Sequence, residues 1–404
     1  MNVLIAGNNE YKCKMLPNMT SAVLPRFGKH YRKTWTDTPI SLSKTFPHRN
    51  GVLKTFPEVL SYRMEKKINV AVIGGGVVGL STALCIAESV PSSVGVTLIS
   101  EKFSPETTSD GSGGFWEPHV LGNTPLHLQR QWSDSTFYHL LDLLRGESAG
   151  EIGVGLLSGF FWMDDYREDP YWSKTVFGFR HLSPQELSFY PKAKHGWFYT
   201  TIKVETSMYL RWLLKRFESR NGKVLKKKIK TLEELAYDFD VAVICTGLGA
   251  RELVGDADVV PVRGQLIKAH APWLKHFVVH CTKTSFNYML PGLNEVKLGG
   301  THQTGDWNTD VDLQDGKFIF KSCCELNPSL KHAEIKGQWA GLRPSRSAGI
   351  RLEKEEKVFD GKLLKIVYNY GHGGGGITTH WGCAKEAAKL VANSIGGTSV
   401  VSKL

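Results

Sequence analysis

Apolar positions along the chain fall into short β-branched runs and longer stretches of helical spacing. Ile68 to Ile73 is a run of the first kind and predicts a strand buried on both faces. Gly74, Gly76 and Gly79 follow it as G-x-G-x-x-G, Leu80 to Ala87 reads as a helix, and Val94 to Ile99 as a second strand closed by Glu101. Further on, Gln129 to Arg145 places Trp132, Phe137, Leu140, Leu141 and Leu144 near helical spacing. Ser183-Pro184-Gln185-Glu186 has the residues of a helix start, and Ser207 to Phe217 sets Leu210, Leu213, Leu214 and Phe217 on one helical face. Strands are predicted at Val224-Leu225 with Ile229, at Val241 to Cys245, and at Val259 to Ala269. Two more, Phe286 to Leu290 and Glu295 to Leu298, flank a Pro291-Gly292 turn. A last strand, Ile366 to Tyr370, runs into a glycine-rich stretch and a helix from His380 to Ile395.

The order strand, glycine turn, helix, strand, acid is the one a dinucleotide requires. Gly74 makes the tight turn, Gly76 lets a pyrophosphate reach the backbone, and Gly79 lets helix and strand approach. Val77 and Val78 then present the helix N-terminus to the phosphates, and Glu101 can accept from a ribose, which favours FAD or NAD over NADP. The hydroxyl- and glycine-rich stretch 102–116 could contact phosphate and ring edges through Thr107, Thr108, Gly113, Gly114 and Phe115, or be a solvated loop. Thr246-Gly247-Leu248-Gly249 again brings backbone toward a nucleotide after a strand. Five glycines among the six residues Gly371 to Gly376 would be costly without a second close approach to a cofactor. The nucleotide domain is therefore split along the chain. No second G-x-G-x-x-G occurs, which argues against a separate NAD domain.

Charge adds little to this picture. The chain of 404 residues carries a formal +11, but residues 1–67 hold 12 Lys/Arg against 4 Asp/Glu, so only +3 falls on the rest. No nucleic-acid face is implied, and Lys226-Lys227-Lys228 reads as a solvated strand edge. No apolar run reaches the ~18 residues of a membrane span. Seven cysteines, an odd number without C-x-x-C, suit a reducing compartment. Cys85 and Cys245 fall in apolar patterns and read as core residues, and no metal site is expected. Asn18-Met19-Thr20 matches a glycosylation acceptor, but nothing else suggests secretion. Residues 1–66, basic and without a clear period, are expected to be a disordered extension, with a transit peptide as the alternative. The terminal Ser402-Lys403-Leu404 is a receptor-read peroxisomal address, so peroxisomal localisation and the import receptor are expected.

Trp339-Ala340-Gly341-Leu342-Arg343-Pro344 puts an arginine in an apolar setting, which needs an anion: a ligand or an internal carboxylate. At this point the chain, from about Ile68 to its end, resembles the D-amino-acid oxidase and D-aspartate oxidase family. The resemblance rests on VAVIGGGVVGLSTAL, Phe115-Trp116-Glu117-Pro118, FGFRHLSPQEL, CTGLGAREL, PVRGQ, GLRPSR-x-x-x-IRLE and NYGHGGGGITTHWG, all in one order. It implies FAD rather than NAD, with Gly74, Gly76 and Gly79 at the pyrophosphate and Glu101 and Lys102 at the ribose. Thr107, Thr108, Gly113, Gly114, Ile229, Thr246 and the run Gly373, Gly374, Gly375, Gly376, Ile377 and Thr378 would line the rest. It further implies that Arg343 pairs with a substrate α-carboxylate, that the Tyr288 hydroxyl assists, and that the Gly374 carbonyl accepts from the amine. No residue is implied as acid or base.

The fold expected is thus α/β. A Rossmann-like FAD-binding domain, split in sequence over 67–115, about 205–255 and 340–404, is joined to a mixed-sheet α+β substrate domain of about 116–204 and 256–339. The activity implied is oxidative deamination of D-amino acids by hydride transfer, with oxygen as acceptor and a 2-oxo acid, ammonia and hydrogen peroxide as products. A homodimer is left open. The side chain preferred is ambiguous. D-aspartate oxidases carry an arginine shortly before the tyrosine, and here Val278 to Asn287 has none, so His280 or Lys283 would have to substitute. His119 also points to acidic substrates, while Phe115-Trp116-Glu117-Pro118 and His195-Gly196-Trp197-Phe198 look more like the enzymes for neutral ones. A general D-amino-acid oxidase is expected, with D-aspartate oxidase as the alternative. A flavin-binding protein without oxidase activity is a second alternative and an NAD-dependent dehydrogenase a third.

Overall fold

The structure, a computed structural model, describes residues 67–396. The expectations for residues 1–66, with Cys13 and Asn18, and for Ser402-Lys403-Leu404 lie outside the described residues. Fifteen strands occur among them. In chain order the first seven are β1 (Asn69–Ile73), β2 (Gly95–Ser100), β3 (Val154–Met163), β4 (Phe177–His181), β5 (His195–Val204), β6 (Lys223–Lys226) and β7 (Val241–Ile244). The others are β8 (Val259–His270), β9 (Phe277–Cys281), β10 (Phe286–Pro291), β11 (Val296–Gly299), β12 (Gln303–Thr304), β13 (Glu334–Arg346), β14 (Arg351–Phe359) and β15 (Lys362–Tyr370).

They form two sheets. The first has the order β14-β15-β7-β1-β2-β6 and is parallel except for the edge pair β14–β15. The second has nine strands in the order β12-β8-β11-β10-β9-β3-β5-β4, with β13 pairing β8. It is antiparallel apart from β3 with β9. This is the α/β fold with a split nucleotide domain and a mixed second sheet that the element order predicts.

The central strands are β-branched because both faces are covered. Val70 and Val72 point to one core, where Leu80, Leu84 and Val391 of the helices Val77–Ser89 and Gly376–Ser394 meet them. Ala71 and Ile73 point to another with Ile244, Tyr368, Leu235 and Ala250. Cys85 and Cys245 are buried and free, as small core residues should be. Ser183 caps the short helix Pro184–Leu187 and exchanges hydrogen bonds with Glu186. No helix among the described residues is long and apolar enough to cross a membrane.

Several boundaries differ from the sequence reading. The last helix begins at Gly376, not His380, because tertiary packing overrides the poor helix propensity of the glycine run. The strand at Val224-Leu225 ends at Lys226 and leaves Ile229 outside it. The stretch 102–116 contains one helical turn, Thr108–Gly111, closed by a Thr107–Asp110 capping box. β13 keeps residues 340–346 in the second sheet, past the expected domain change at 340, because it pairs continuously with β8 as far as Arg346–Val259. The helix Leu126–Arg145, expected in the substrate domain, packs on Gly376–Ser394 of the nucleotide side as well as on β4 of the second sheet, where Phe137 meets Phe177. On the nucleotide side the Gly382 amide donates to Thr136 Oγ1 at 3.1 Å.

That crossing depends on Gly382, where a Cβ would lie 2.3 Å from the Trp132 carbonyl oxygen. Gly to Ala inside a helix ordinarily gains about 1 kcal/mol. Gly382→Ala is expected to do the reverse and lower stability by roughly 1–3 kcal/mol, as overpacking does. Urea unfolding of the full chain checks the sign.

Candidate active site

The carboxyl ends of β1, β2 and β7, the helix N-terminus at Val77, and the inner face of the second sheet enclose one cavity of about 1070 Å³. Its position at the strand ends is where open α/β sheets bind ligands. At the narrow end, Gly74 turns with φ +126°, and a Cβ there would sit 2.3 Å from the Cys245 carbonyl oxygen. A Cβ on Gly79 would meet the Gly74 carbonyl at 1.8 Å, so helix and strand touch only because both residues are glycine. The helix Val77–Ser89 has no acidic residue in its first turn and no side-chain cap from Gly76. Its first amide, Val77, donates to Ser109 Oγ at 3.0 Å, a neighbour that sequence reasoning missed.

Of the predicted cofactor contacts, Gly74, Gly76, Val77, Val78, Glu101, Lys102, Thr107, Thr108, Gly113, Gly114, Phe115, Ile229 and Thr246 line this cavity, as do Gly373, Gly374, Gly376 and Ile377. Gly79, Gly375 and Thr378 stand behind the wall. Gly375 leaves room for Leu121, and Thr378 Oγ1 donates to the Glu117 carbonyl at 3.0 Å. The Thr107 hydroxyl is turned to Asp110 at 2.6 Å. Glu101 follows β2 at the rim, with Lys228 at 3.7 Å. Lys227 and Lys228 line the cavity as well as bordering the edge strand β6, which composition alone did not reveal.

Three buried polar atoms that face this space lack a partner: Ser112 Oγ, Thr246 Oγ1 and His372 Nε2. Ser112, Thr246 and His372 all line the cavity. Burial pushes His372 down to about 3, so its ring is neutral at pH 7. Orphaned hydrogen-bonding atoms of this kind call for a polar ligand. Together with the glycine cradle and a helix N-terminus that holds no acidic residue, they fit FAD: Gly76 to Val78 would hold the pyrophosphate, Glu101 the ribose, and Thr246 and His372 polar edges of the ring. His372 was inside a quoted motif but not singled out by its residue type.

The wide end is built by the pleat of the second sheet. Phe286, Tyr288 and Leu290 alternate along β10 and all line the cavity, as does Val279 of β9. The same alternation excludes His280, which was expected to reach a substrate carboxylate. It faces the far side of the sheet, with Nε2 at 2.7 Å from Asp164 Oδ1 and Nδ1 at 3.3 Å from the Tyr190 hydroxyl. Lys283, the other expected cation, lies in the β9–β10 turn, with its side chain 85% exposed and 3.4 Å from Asp165. Neither lines the cavity. The Arg167 guanidinium, from the loop after β3, reaches the Cys281 thiol, a contact no spacing predicted.

Arg343 comes from β13 and lies across β8. A Cβ on Gly264 would sit 2.4 Å from Arg343 Nη1, so this glycine is what lets the guanidinium lie flat. Arg343 Nη1 donates to the Thr301 carbonyl at 3.2 Å, and among the described residues no carboxylate pairs with it. Tyr288 lies over Gly299 and Gly300, whose missing side chains make room for its ring. Burial raises its phenol above the usual tyrosine value while nearby Arg343 opposes the rise, so it remains a donor at neutral pH. His119 stacks on Phe286 at 5.0 Å and stands 6.5 Å from His302, which sequence reasoning missed. Burial, then the Arg343 charge, holds His119 down at about 4. Burial and Arg343 also lower His302. The wide end therefore offers one fixed cation among neutral polar groups, suited to a small carboxylate.

The family model described as "FAD dependent oxidoreductase" (DAO) matches residues 69–390. D-aspartate oxidase of Homo sapiens is 44% identical over 328 residues, covering 81% of this chain and 95% of its own. D-amino acid oxidase of Dugesia ryukyuensis is 34% identical over 336 residues, with 81% and 98% covered. Among solved structures, glycine oxidase from Bacillus cereus ATCC 14579 superposes with a TM-score of 0.63 at 20% identity, covering 82% of this chain and 96% of its own, a likeness of fold.

Gly264→Ala is expected to displace the Arg343 guanidinium without touching the narrow end. FAD should still bind, while affinity for a small carboxylate falls by about tenfold, the loss of one charge-assisted hydrogen bond. Calorimetric titration of the FAD-loaded protein with propionate checks this. Unchanged affinity would show that the guanidinium does not hold the ligand.

Proposed function

The chain belongs to the DAO family of FAD-dependent oxidoreductases, and on that premise we propose that it oxidises D-amino acids anchored on Arg343. The products are a 2-oxo acid, ammonia and hydrogen peroxide. One observation carries the reading: Arg343 lines the cavity of the cofactor end, among the described residues no carboxylate pairs with it, and Tyr288 stands beside it.

Bound FAD supplies the acceptor for the substrate hydride and the route of its electrons to oxygen. What the chain supplies is placement and electrostatics. Arg343 pairs with the α-carboxylate through its planar fork, and Tyr288, kept as a neutral phenol, donates to the same group. The Gly374 carbonyl accepts from the amine. With these groups held, the Cα–H has one orientation, and the amine lone pair supports the imine as hydride departs. Phe286, Leu290 and Val279 exclude water around the reacting carbon. The released imino acid hydrolyses in water. No side chain serves as acid or base in this scheme.

A second reading, oxidation of acidic D-amino acids alone, is favoured by the likeness to a D-aspartate oxidase and by His119 and His302 beside Arg343. Peroxisomal residence through Ser402-Lys403-Leu404 belongs to the same proposal. Its support is that S-K-L is a receptor-read address and that the chemistry proposed makes peroxide.

Peroxide release by FAD-loaded protein tests the function with D-alanine, D-proline, D-aspartate and D-glutamate beside their L-forms. Turnover of neutral and acidic D-forms is expected. Turnover of D-aspartate and D-glutamate alone selects the second reading, and silence on every D-form with flavin bound rejects both. Arg343→Ala is expected to keep the flavin absorbance and lose roughly a hundredfold or more in kcat/KM, the value of two charge-assisted hydrogen bonds.

A further inference from the structure

One ionisable group of the cavity that the scheme above does not use bears on the choice of side chain. Glu117 lines the cavity two residues before His119, on the stretch that crosses β5 through the Trp116 amide and the Ile202 carbonyl at 2.9 Å. Its carboxylate accepts from the Tyr199 hydroxyl at 2.6 Å, and among the described residues no cation pairs with it. We propose that Glu117 sets the side-chain specificity of this site: protonated, it admits dicarboxylic D-amino acids, and ionised, it disfavours them. This rests on the D-amino-acid reading.

The groups around Glu117 are fixed in charge. Tyr199 of β5 is fully buried against Phe115, Trp172, Phe179 and Phe277, and burial holds it well above the usual tyrosine value as a phenol. Cys281 of β9 is a thiol raised chiefly by burial, and Arg167 and Asp164 stand beyond it. Thr378, at the start of the last helix, touches only the Glu117 carbonyl. His119 is neutral, and Arg343 keeps its charge whatever the pH. Burial pushes Glu117 itself up to about 7, with the Tyr199 hydrogen bond opposing the rise. Below that pH it is a neutral group able to donate to a second carboxylate. Above it, two negative charges would share a space closed to water, where like charges repel strongly. A neutral side chain meets no such change.

The sign is therefore definite. The ratio of kcat/KM for D-aspartate to that for D-alanine should fall about tenfold as pH rises from roughly 6 to 8, with its midpoint near 7. Taking the ratio cancels titrations common to both substrates. Glu117→Gln should abolish the fall. Tyr199→Phe removes the bond that favours the ionised form, so the same fall should move to higher pH. If Glu117 were only a structural partner of Tyr199, stability could change in either variant, but the pH dependence of the ratio would not move. A flat wild-type ratio, a fall that persists in Glu117→Gln, or an unmoved midpoint in Tyr199→Phe would each overturn the proposal.

A binding measurement separates this from failure of the D-amino-acid reading. The dissociation constants of succinate and butyrate, read from the absorbance of the bound flavin, should diverge through the same pH window in the wild type and run parallel in Glu117→Gln. Divergence without turnover of any D-amino acid would uphold Glu117 and remove the activity. Turnover with parallel constants would uphold the activity and remove Glu117.

Discussion

The structure depends on a place where three backbones touch. The end of β1, the first turn of helix Val77–Ser89 and the end of β7 converge at Gly74. A single added carbon there would lie 2.3 Å from the Cys245 carbonyl, and one on Gly79 would lie 1.8 Å from the Gly74 carbonyl. Because no side chain intervenes, the helix N-terminus opens directly on the ends of the parallel strands. The glycine turn before Gly376 brings the last helix to the same cavity from the other side. The nucleotide end is thus a surface of backbone amides, with short polar side chains such as Ser100, Ser109, Ser112 and Thr246 reaching it where the glycines leave space.

The second sheet solves a different problem, which is to hold one guanidinium against the open end of that surface. β13 pairs with β8 along almost its whole length, so the position of Arg343 is set by a long ladder rather than by a loop. Gly264 on the neighbouring strand gives the guanidinium a flat bed, and Gly299 and Gly300 do the same for Tyr288. Rigid strands place both groups with little freedom left to lose on binding. The aromatic residues of β3, β5 and β9 behind them, such as Phe161, Trp197 and Phe277, keep the sheet stiff and dry.

How much of this was legible follows from the range of each interaction. The unit from Ile68 to Glu101 is local, and its strand, turn and helix appear where the periodicity puts them, within a residue or two or three at each end. The start of the last helix was misplaced because the glycine run carries the wrong propensity, and only the close packing of Gly373 on Val120 and of Gly375 on Leu121 reveals its role. His280 was misjudged because a strand's face is a matter of register with distant partners. Val279 faces the cavity, so its neighbour cannot. His302 and Arg167 lie on loops and Ser109 in a single helical turn, at positions that no spacing encodes. Arg343 was legible because an arginine among Trp, Gly, Leu and Pro is anomalous by itself.

The electrostatics of the wide end follow from that one arginine. A guanidinium in a closed space lowers every neighbouring base, and His119 and His302 are held neutral by burial and by Arg343 together. The same field acts against the ionisation cost of Tyr288 without overcoming burial. The result is a site with a constant single positive charge, matched to the one charge that every α-amino acid presents as its carboxylate. Discrimination between side chains then cannot come from this charge, which all substrates share. It must come from a group whose interaction differs among substrates and that has no compensating cation. Glu117 is such a group: among the described residues no cation pairs with it, and burial has moved its titration into the range where enzymes work. Anchoring and selection are in this way carried by two opposite charges in one cavity, the first permanent and the second conditional on pH.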